Sequence, residues 1–344
     1  MKILVTGGSG FVGSRLIPKL LGQGHSVTCY DIRVNQAFAD FTVNADVRDR
    51  VALHEASRGV DAIIHLAAAH RDDVKPVSLY QSVNVGGAQN VVQAAADNGV
   101  STIIFTSTVA LYGLDKENSR ETDTPDPFNE YGRSKWEAEE VFRAWHTQGK
   151  TLSEGDATKE SARKLLIVRP CVIFGEGNRG NVYTLAKQLS SGMFMTVGDG
   201  QNHKSMAYVG NVVEFLAQRL VDVQGYELYN YADKPDLSTQ ELVSILRKAL
   251  NKHTGQSLHI PLELGMLGGK VFDVLAAIIR KPLPISSVRI KKFAASTVVN
   301  ADALEALGFQ RPYTLAEGLQ RTINAEFGKG RGVPMLSASG GGSQ

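Results

Sequence analysis

Cysteine is almost missing from this sequence: 344 residues contain only Cys29 and Cys171, each inside an apolar run. Two isolated thiols can build neither a disulfide framework nor a four-ligand zinc site, so no metal is expected and both should be small buried hydrophobes in strands. That usage fits a reducing, cytoplasmic location. A long hydrophobic run is missing too. The most apolar stretch, "LGMLGGKVFDVLAAIIR" (264–280), is interrupted by Gly268-Gly269, Lys270 and Asp273. It falls short of the ~20 consecutive apolar residues a transmembrane helix needs. A buried or half-buried helix is expected there, with a membrane-surface or dimer-facing helix as the competing reading. The N-terminal "MKILVTGGSGFVG" breaks at glycine too early for a signal peptide. Charge of one sign is not in excess either: 37 Lys and Arg face 35 Asp and Glu, interspersed, for a formal net charge of +2. This gives no electrostatic footprint for nucleic acid or an acidic polymer.

What is present reads as an α/β chain. "KILVTG" (2–7), "SVTCYD" (26–31), "FTVNAD" (41–46), "VDAIIHLAA" (60–68), "STIIFTST" (101–108) and "KLLIVRPCVIFG" (164–175) are predicted strands. Amphipathic stretches at 11–24, 79–99 and 129–148 fall between them. Strand–helix–strand at this pitch argues for βαβ units: a Rossmann-type, doubly wound parallel sheet with helices on both faces. The polar 149–163 is expected as a surface excursion. Beyond about residue 176 the alternation fades into short strands (205–209, 226–232) and helices (239–250, 314–327), a smaller mixed α/β lobe. The expected division is 1–175 for the dinucleotide domain, 176–327 mainly for the substrate lobe, with later segments returning to the first domain. The Gly/Ser-rich 328–344 is expected to be a disordered tail.

"TGGSGFVG" (6–13) follows the first strand and opens the first helix. Gly7, Gly10 and Gly13, with Phe11 and Val12 between the last two, form a turn tight enough for backbone N–H groups to approach a pyrophosphate at the positive helix end. Asp31 ends the second strand, where a carboxylate accepts hydrogen bonds from ribose hydroxyls and repels a 2′-phosphate, favouring NAD over NADP. Arg33, two residues on, argues the other way. Asp46 and Val47 end the third strand, offering an adenine contact and an apolar wall; for Asp46 a helix N-cap is an equal alternative.

The chain contains three tyrosines with a lysine four residues later: Tyr112–Lys116, Tyr131–Lys135 and Tyr183–Lys187. Chance supplies roughly half such a match, so spacing alone assigns none of them. Tyrosine ionises near pH ~10, and a lysine one helical turn away stabilises its phenolate. Such a pair must sit on a helix beside a cofactor at the strand ends. Tyr112–Lys116 lies in loop composition, and Tyr183–Lys187 follows the sixth strand toward the edge or the small lobe. Only Tyr131–Lys135 heads an amphipathic helix directly after a strand whose end offers Thr106, Ser107 or Thr108 as a hydroxyl partner.

With "TGGSGFVG", Asp31, "ADV", "HLAA" (65–68), "VNVGGAQN" (83–90), "TSTVALYG" (106–113), "YGRSK" (131–135), "VRPCVIFG" (168–175) and "GDGQNHKSMAYVGNVVEFL" (198–216) in order, the chain resembles the extended short-chain dehydrogenase/reductase family, in its NAD-dependent sugar-nucleotide epimerase/dehydratase branch. The resemblance spans about residues 1 to 250. It implies Tyr131 as acid–base, Lys135 as its partner and ribose contact, and Thr108 on the sugar hydroxyl being oxidised. It implies Leu66, Ala67 and Ala68 as backbone beside the cofactor, Asn84 as support for that strand end, Thr106 among the cofactor contacts, and Pro170 near the nicotinamide. Lys204, and more loosely Asn181 and Arg289, match positions that meet the nucleotide diphosphate; surface charge is the competing reading for both cations. Dehydratases carry an acidic pair after the threonine, where this chain has Val109 and Ala110, so 4,6-dehydration is not expected. Asn211 stands where relatives place an aspartate. The implied activity is 4-epimerisation of a UDP-hexose or UDP-N-acetylhexosamine through a transient 4-keto sugar, in a homodimer paired through 79–98 and 129–148. The rivals are a 4-keto-sugar reductase using NAD(P)H, a reductase of a hydroxysteroid-like or flavonoid-like substrate, and a non-enzymatic dinucleotide sensor.

Overall fold

A parallel sheet forms wherever buried apolar strands alternate with amphipathic helices, and the first half of the chain does so throughout. The computed structural model describes residues 1–71, 74–114, 116–154, 163–192, 194, 196–252, 259–279, 287, 290 and 294–328. Strands β1 (Lys2–Thr6), β2 (Ser26–Asp31), β3 (Thr42–Asn44), β4 (Ala62–His65), β5 (Thr102–Thr106) and β6 (Lys164–Pro170) belong to one sheet. They alternate with α1 (Gly13–Gly22), α2 (Arg50–Ala56), a π-helical turn at Tyr80–Gly86 leading into α3 (Gly87–Asp97), and α4 (Glu130–Glu154). With β10 (Tyr226–Tyr231) at one edge, the order across the sheet is β10-β6-β5-β4-β1-β2-β3, all parallel, and the winding reverses between β4 and β1. Ligands of doubly wound sheets bind in the crevice outside the strands' carboxyl ends at that reversal. Ile3, Val5, Ile64, Ile104 and Leu166 are buried on one face and Leu4, Ile63, Ile103, Phe105 and Ile167 on the other, as two layers of helices require.

The run 164–175, expected as one strand, is two. β7 (Val172–Phe174) pairs with β9 (His203–Tyr208) in a separate three-stranded sheet completed by β11 (Asp233–Ser238). The division falls at Pro170, the last residue of β6, which has no N–H to continue the ladder. The next donor, Cys171 N–H, bonds Tyr231 O at 3.0 Å, at the end of β10 (Tyr226–Tyr231). Residues 226–231 thus return to the main sheet, as α6 (Val209–Asp222) returns to α1 through the Lys19–Glu214 ion pair at 2.6 Å. The remaining elements are α5 (Asn181–Ser191), a short pair of β8 (Thr196–Val197) with β12 (His259–Ile260), α7 (Thr239–Ala249), α8 (Leu262–Ile279), α9 (Asp302–Ala306) and α10 (Leu315–Phe327). Helix α4 runs on to Glu154, so the expected excursion begins as helix; 155–162 and the 329–344 tail lie outside the described residues. Both cysteines are buried.

Asn211 on α6 is fastened to the chain that leads into α10 (Leu315–Phe327). Its Nδ2 donates to Tyr313 O at 2.8 Å and its Oδ1 accepts from Tyr313 N–H at 3.1 Å. An ionised aspartate could make only the second of these bonds.

Candidate active site

The phosphate loop owes its shape to contacts that exclude side chains. Gly7 has φ +71°, and a Cβ there would lie 2.6 Å from Ala67 N; one at Gly13 would lie 2.6 Å from Gly7 O. The turn closes by Gly10 N–H to Gly7 O at 3.0 Å. No side chain caps α1 and its first turn has no acidic residue, which leaves that helix end to an anion. Arg15 pins the loop by donating to Phe11 O at 2.8 Å and to Glu176 O. Gly7→Ala adds strain of about 1–2 kcal/mol at a left-handed residue and a clash with the β4 end. Gly24 is the control, with φ +82° and open space around its Cβ position. We expect both alanine variants to lose stability but only Gly7→Ala to lose NAD affinity in calorimetry; equal affinities would refute the cradle.

At the end of β2, Asp31 Oδ2 accepts from Ser9 N–H at 3.1 Å and Oδ1 from Arg33 N–H at 3.0 Å. The carboxylate is thus aimed from a buried position at the glycine loop, whereas Arg33 is exposed and reaches this cluster through its backbone. Asp46 is ion-paired with Arg48 at 2.6 Å, a partner that holds its carboxyl below the usual range. The N-cap of α2 is Asp49, so that alternative for Asp46 is corrected. Val47 is buried against Gly87, whose Cβ would meet it at 3.0 Å.

Across the winding reversal, Leu66 N–H bonds Thr6 O at 3.0 Å, placing 66–68 beside the glycine loop. Asn84 lies on the π turn, where the extra residue per turn aims it at both walls. Its Oδ1 accepts from Ala69 N–H at 2.8 Å, and its Nδ2 donates to Ala69 O at 3.1 Å and to Ser134 Oγ at 2.8 Å. Ser134 Oγ in turn donates to Tyr131 O at 2.9 Å. One side chain therefore ties the β4 end to the helix that carries Tyr131. Gly132 completes the approach: a Cβ there would stand 2.7 Å from Ala110 O.

Tyr131 and Lys135 occupy the first two turns of α4. Tyr131 is half-buried; Lys135 is buried with Nζ 4.0 Å from the centre of the Phe105 ring. Burial pushes the ammonium pKa down to about 7, and Glu139, one turn further, opposes that. Thr108 Oγ1 accepts from Ala110 N–H at 3.1 Å, which keeps its proton for another acceptor. Thr106 donates to His65 O at 3.3 Å. Ser107 Oγ is buried with no hydrogen-bond partner among the described residues, and Pro170 ends the neighbouring strand. A polar atom left unpaired at the strand ends, beside a cradle with no room for side chains, fits a dinucleotide.

The other two pairs have different tasks. Tyr112 is buried, donating to Asn230 Oδ1 at 2.8 Å and accepting from Arg169 Nη1 at 2.6 Å; burial raises its pKa to about 12. Lys116 pairs instead with Asp126. Tyr183, although helical, stacks on Phe327 at 5.4 Å, with Arg179 over its ring. Among the substrate candidates, Asn181 is exposed at the start of α5. Lys204 on β9 is half-buried and donates to Ala295 O, with its pKa lowered to about 8 by burial, so it is not a solvated surface charge. Arg289 lies outside the described residues.

A family profile described as the NAD dependent epimerase/dehydratase family matches residues 3–232. The chain belongs to this family. NAD is its cofactor. A relative from Escherichia coli O157:H7, N-acetyl-alpha-D-glucosaminyl-diphospho-ditrans,octacis-undecaprenol 4-epimerase, is 50% identical over 326 residues, 94% of this chain and 95% of that one. UDP-glucose 4-epimerase of Vibrio cholerae is 28% identical over 335 residues, 94% of each chain. The solved UDP-glucuronic acid 4-epimerase of Bacillus cereus, in complex with UDP-glucuronic acid and NAD, superposes with a TM-score of 0.72 at 20% identity, over 94% of this chain and 98% of that one. The fold expected from the sequence is thus the fold of a family member.

Two groups of the family member's core escaped sequence reasoning. Arg169 and Glu139, 1% and 0% exposed, form a bidentate pair (2.9 and 2.7 Å) between β6 and α4. Burial works against the Arg169 charge, and Glu139 outweighs it. Glu139 stands four residues after Lys135, a spacing that could have flagged it. His65 of "HLAA" is the other. Its Nδ1 is 2.7 Å from Thr6 Oγ1 in a hydrogen bond, its Nε2 has no partner among the described residues, and its ring stacks on Phe105 at 5.6 Å. Burial, then the Lys135 charge, pushes its pKa down to about 3. A folded pKa below the unfolded value of ~6.5 means that His65 contributes stability above that pH and loses it as pH falls toward 3. His65→Phe should flatten this acid limb in pH-dependent melting; an unchanged slope would count against a neutral buried imidazole.

Proposed function

We propose that the protein is an NAD-dependent 4-epimerase of an N-acetylhexosamine carried on a diphosphate, with a polyprenyl diphosphate as the preferred carrier and UDP as the alternative. The observation that carries this reading is the end-to-end 50% identity to a 4-epimerase of a diphospho-undecaprenol-linked N-acetylglucosamine. When bound, NAD supplies a hydride acceptor that returns the hydride to the opposite face of the same carbon. The chain supplies proton transfer and position. The Tyr131 phenolate takes the C4 hydroxyl proton and gives it back after the keto sugar has turned. The Lys135 ammonium stabilises that phenolate, and the Thr108 hydroxyl holds the C4 oxygen. Val109 and Ala110, in the turn capped by Thr108, offer no acid for eliminating water, which supports epimerisation over dehydration. Asn181 and Lys204 are the proposed diphosphate contacts, Asp31 the ribose contact and Asp46 the adenine contact. Pairing of two subunits through 79–98 and 129–148, in the cytoplasm, belongs to the same proposal.

The test incubates purified protein with N-acetylglucosaminyl-diphospho-undecaprenol in detergent, and separately with UDP-N-acetylglucosamine, with and without added NADH or NADPH, and follows products by NMR. Inversion at C4 without net reductant is the expected result. Turnover only with stoichiometric NAD(P)H oxidation on a 4-keto sugar would establish a reductase instead.

A further inference from the structure

Helix α8 is built the wrong way round for a helix that serves only the core. Its small residues face the protein: Gly265 is buried, and a Cβ there would lie 2.4 Å from Val197 Cγ1 on β8, while Gly269 is buried with no more than 2.8 Å to Ser287 Cα. Four of its large residues face out. Leu264, Leu267 and Val271 are 60%, 61% and 54% exposed, and Ile279 at the far end is 53% exposed. Spacings of three, four and eight residues align these four side chains along one stripe of the helix. The half-buried alternative of the sequence reading of 264–280 is the one the structure shows, with glycines on the packed side bringing the backbone close to the body and leucine and valine among the exposed residues.

We propose that this stripe is the surface by which the protein sits on an anionic lipid bilayer, in the plane of the headgroups. The proposal rests on the reading of a polyprenyl-linked substrate, because an undecaprenyl chain lies in a membrane and its sugar diphosphate stands at the headgroup level. No helix among the described residues is long and apolar enough to cross a membrane, so an enzyme of such a substrate needs an interfacial contact. Charge in the adjoining sequence agrees. From Arg280 through Lys281, Arg289 and Lys291 to Lys292 the chain has five basic residues and no acidic one. Basic residues next to an interfacial helix bind anionic lipid, each contributing about 1 kcal/mol near the surface. A second copy of the chain is a poorer occupant, because a few aliphatic side chains fall well short of the roughly 800 Å² per partner that stable protein interfaces bury.

The test compares wild type with the triple variant Leu264→Gln, Leu267→Gln, Val271→Gln, all three at exposed positions. Each is sedimented with vesicles of equal parts phosphatidylglycerol and phosphatidylcholine, and with phosphatidylcholine alone. Wild type should bind the anionic vesicles, and the variant should bind them at least roughly tenfold more weakly. Turnover of UDP-N-acetylglucosamine in solution should be equal for both, and turnover of the undecaprenyl substrate embedded in vesicles should fall with binding. Wild type that stays in the supernatant overturns the inference, as does a variant that binds equally well. A dimer by light scattering that the variant converts to monomer, without vesicle binding, also overturns it and makes the stripe a self-interface. Vesicle binding without epimerisation of either substrate would instead sink the proposed function and leave the surface intact.

Discussion

Replacing Tyr131 by Phe is expected to lower turnover by roughly a hundred- to ten-thousand-fold, the usual contribution of a positioned acid–base, with little change in thermal stability. The side chain is half-buried at the head of α4, and its neighbour Lys135 lies one turn along the same helix. In the proposed mechanism, removing the hydroxyl removes the group that takes and returns the C4 proton, while the ring still fills its space. The two other tyrosines of equal spacing are the controls. Tyr183→Phe should leave turnover within about twofold, since its ring is taken up in stacking on Phe327. Tyr112→Phe removes two buried hydrogen bonds, to Asn230 and from Arg169, so it should cost about 1–3 kcal/mol of stability while turnover per folded molecule persists. Rates from stopped assays and melting curves on the same samples decide this. A Tyr131→Phe enzyme within tenfold of wild type would remove Tyr131 from the mechanism.

Glu139→Ala is expected to destabilise the protein by about 3–5 kcal/mol, because it leaves the Arg169 guanidinium buried without its counter-charge. Denaturant titration reads this loss. Replacing both partners, Glu139→Leu with Arg169→Met, should recover much of it, since an apolar pair of similar volume needs no neutralisation. A double variant as unstable as the single would show that packing at β6 and α4, not the unpaired charge, sets the cost. Glu139→Gln isolates the electrostatic consequence. Glu139 is the group that opposes the downward shift of Lys135, so its neutralisation should move the Lys135 titration below about 7. The ammonium is then lost at lower pH, and the alkaline limb of the rate profile should move toward acid.

The glycine loop and the succession of strands along the chain up to β5 were legible because each depends on neighbours in sequence. A loop between strand and helix, or a lysine one turn from a tyrosine, is local information. The pairing of Arg169 with Glu139 joins residues 30 apart, and neither hydropathy nor spacing distinguishes a buried arginine from a surface one. The split of 164–175 was hidden for a related reason: both halves are apolar and extended, and only the partners of each half show that they lie in different sheets. Which face of α8 is exposed was not legible, because hydrophobic content does not show that Gly265 and Gly269 take the packed side. Asp46 and Asp49 compete for one helix start, and position alone did not separate them.

The passage from β6 to β7 bears on how an epimerase could complete its cycle. The chain leaves the cofactor sheet at Pro170 and enters the second sheet at Val172, with Cys171 held to Tyr231 between them. There is no linker at that crossing to act as a hinge, and the Asn230 side chain fastens the same region to Ser119 and Asn300. With this crossing held in place, a ketosugar that must present both faces to one hydride site would turn about its own bond to the diphosphate, and the movement would not come from β6 sliding against β7. Selectivity among sugars then becomes a matter of swept volume: a substituent is tolerated when it clears the walls throughout the turn, and not merely when it fits at either end.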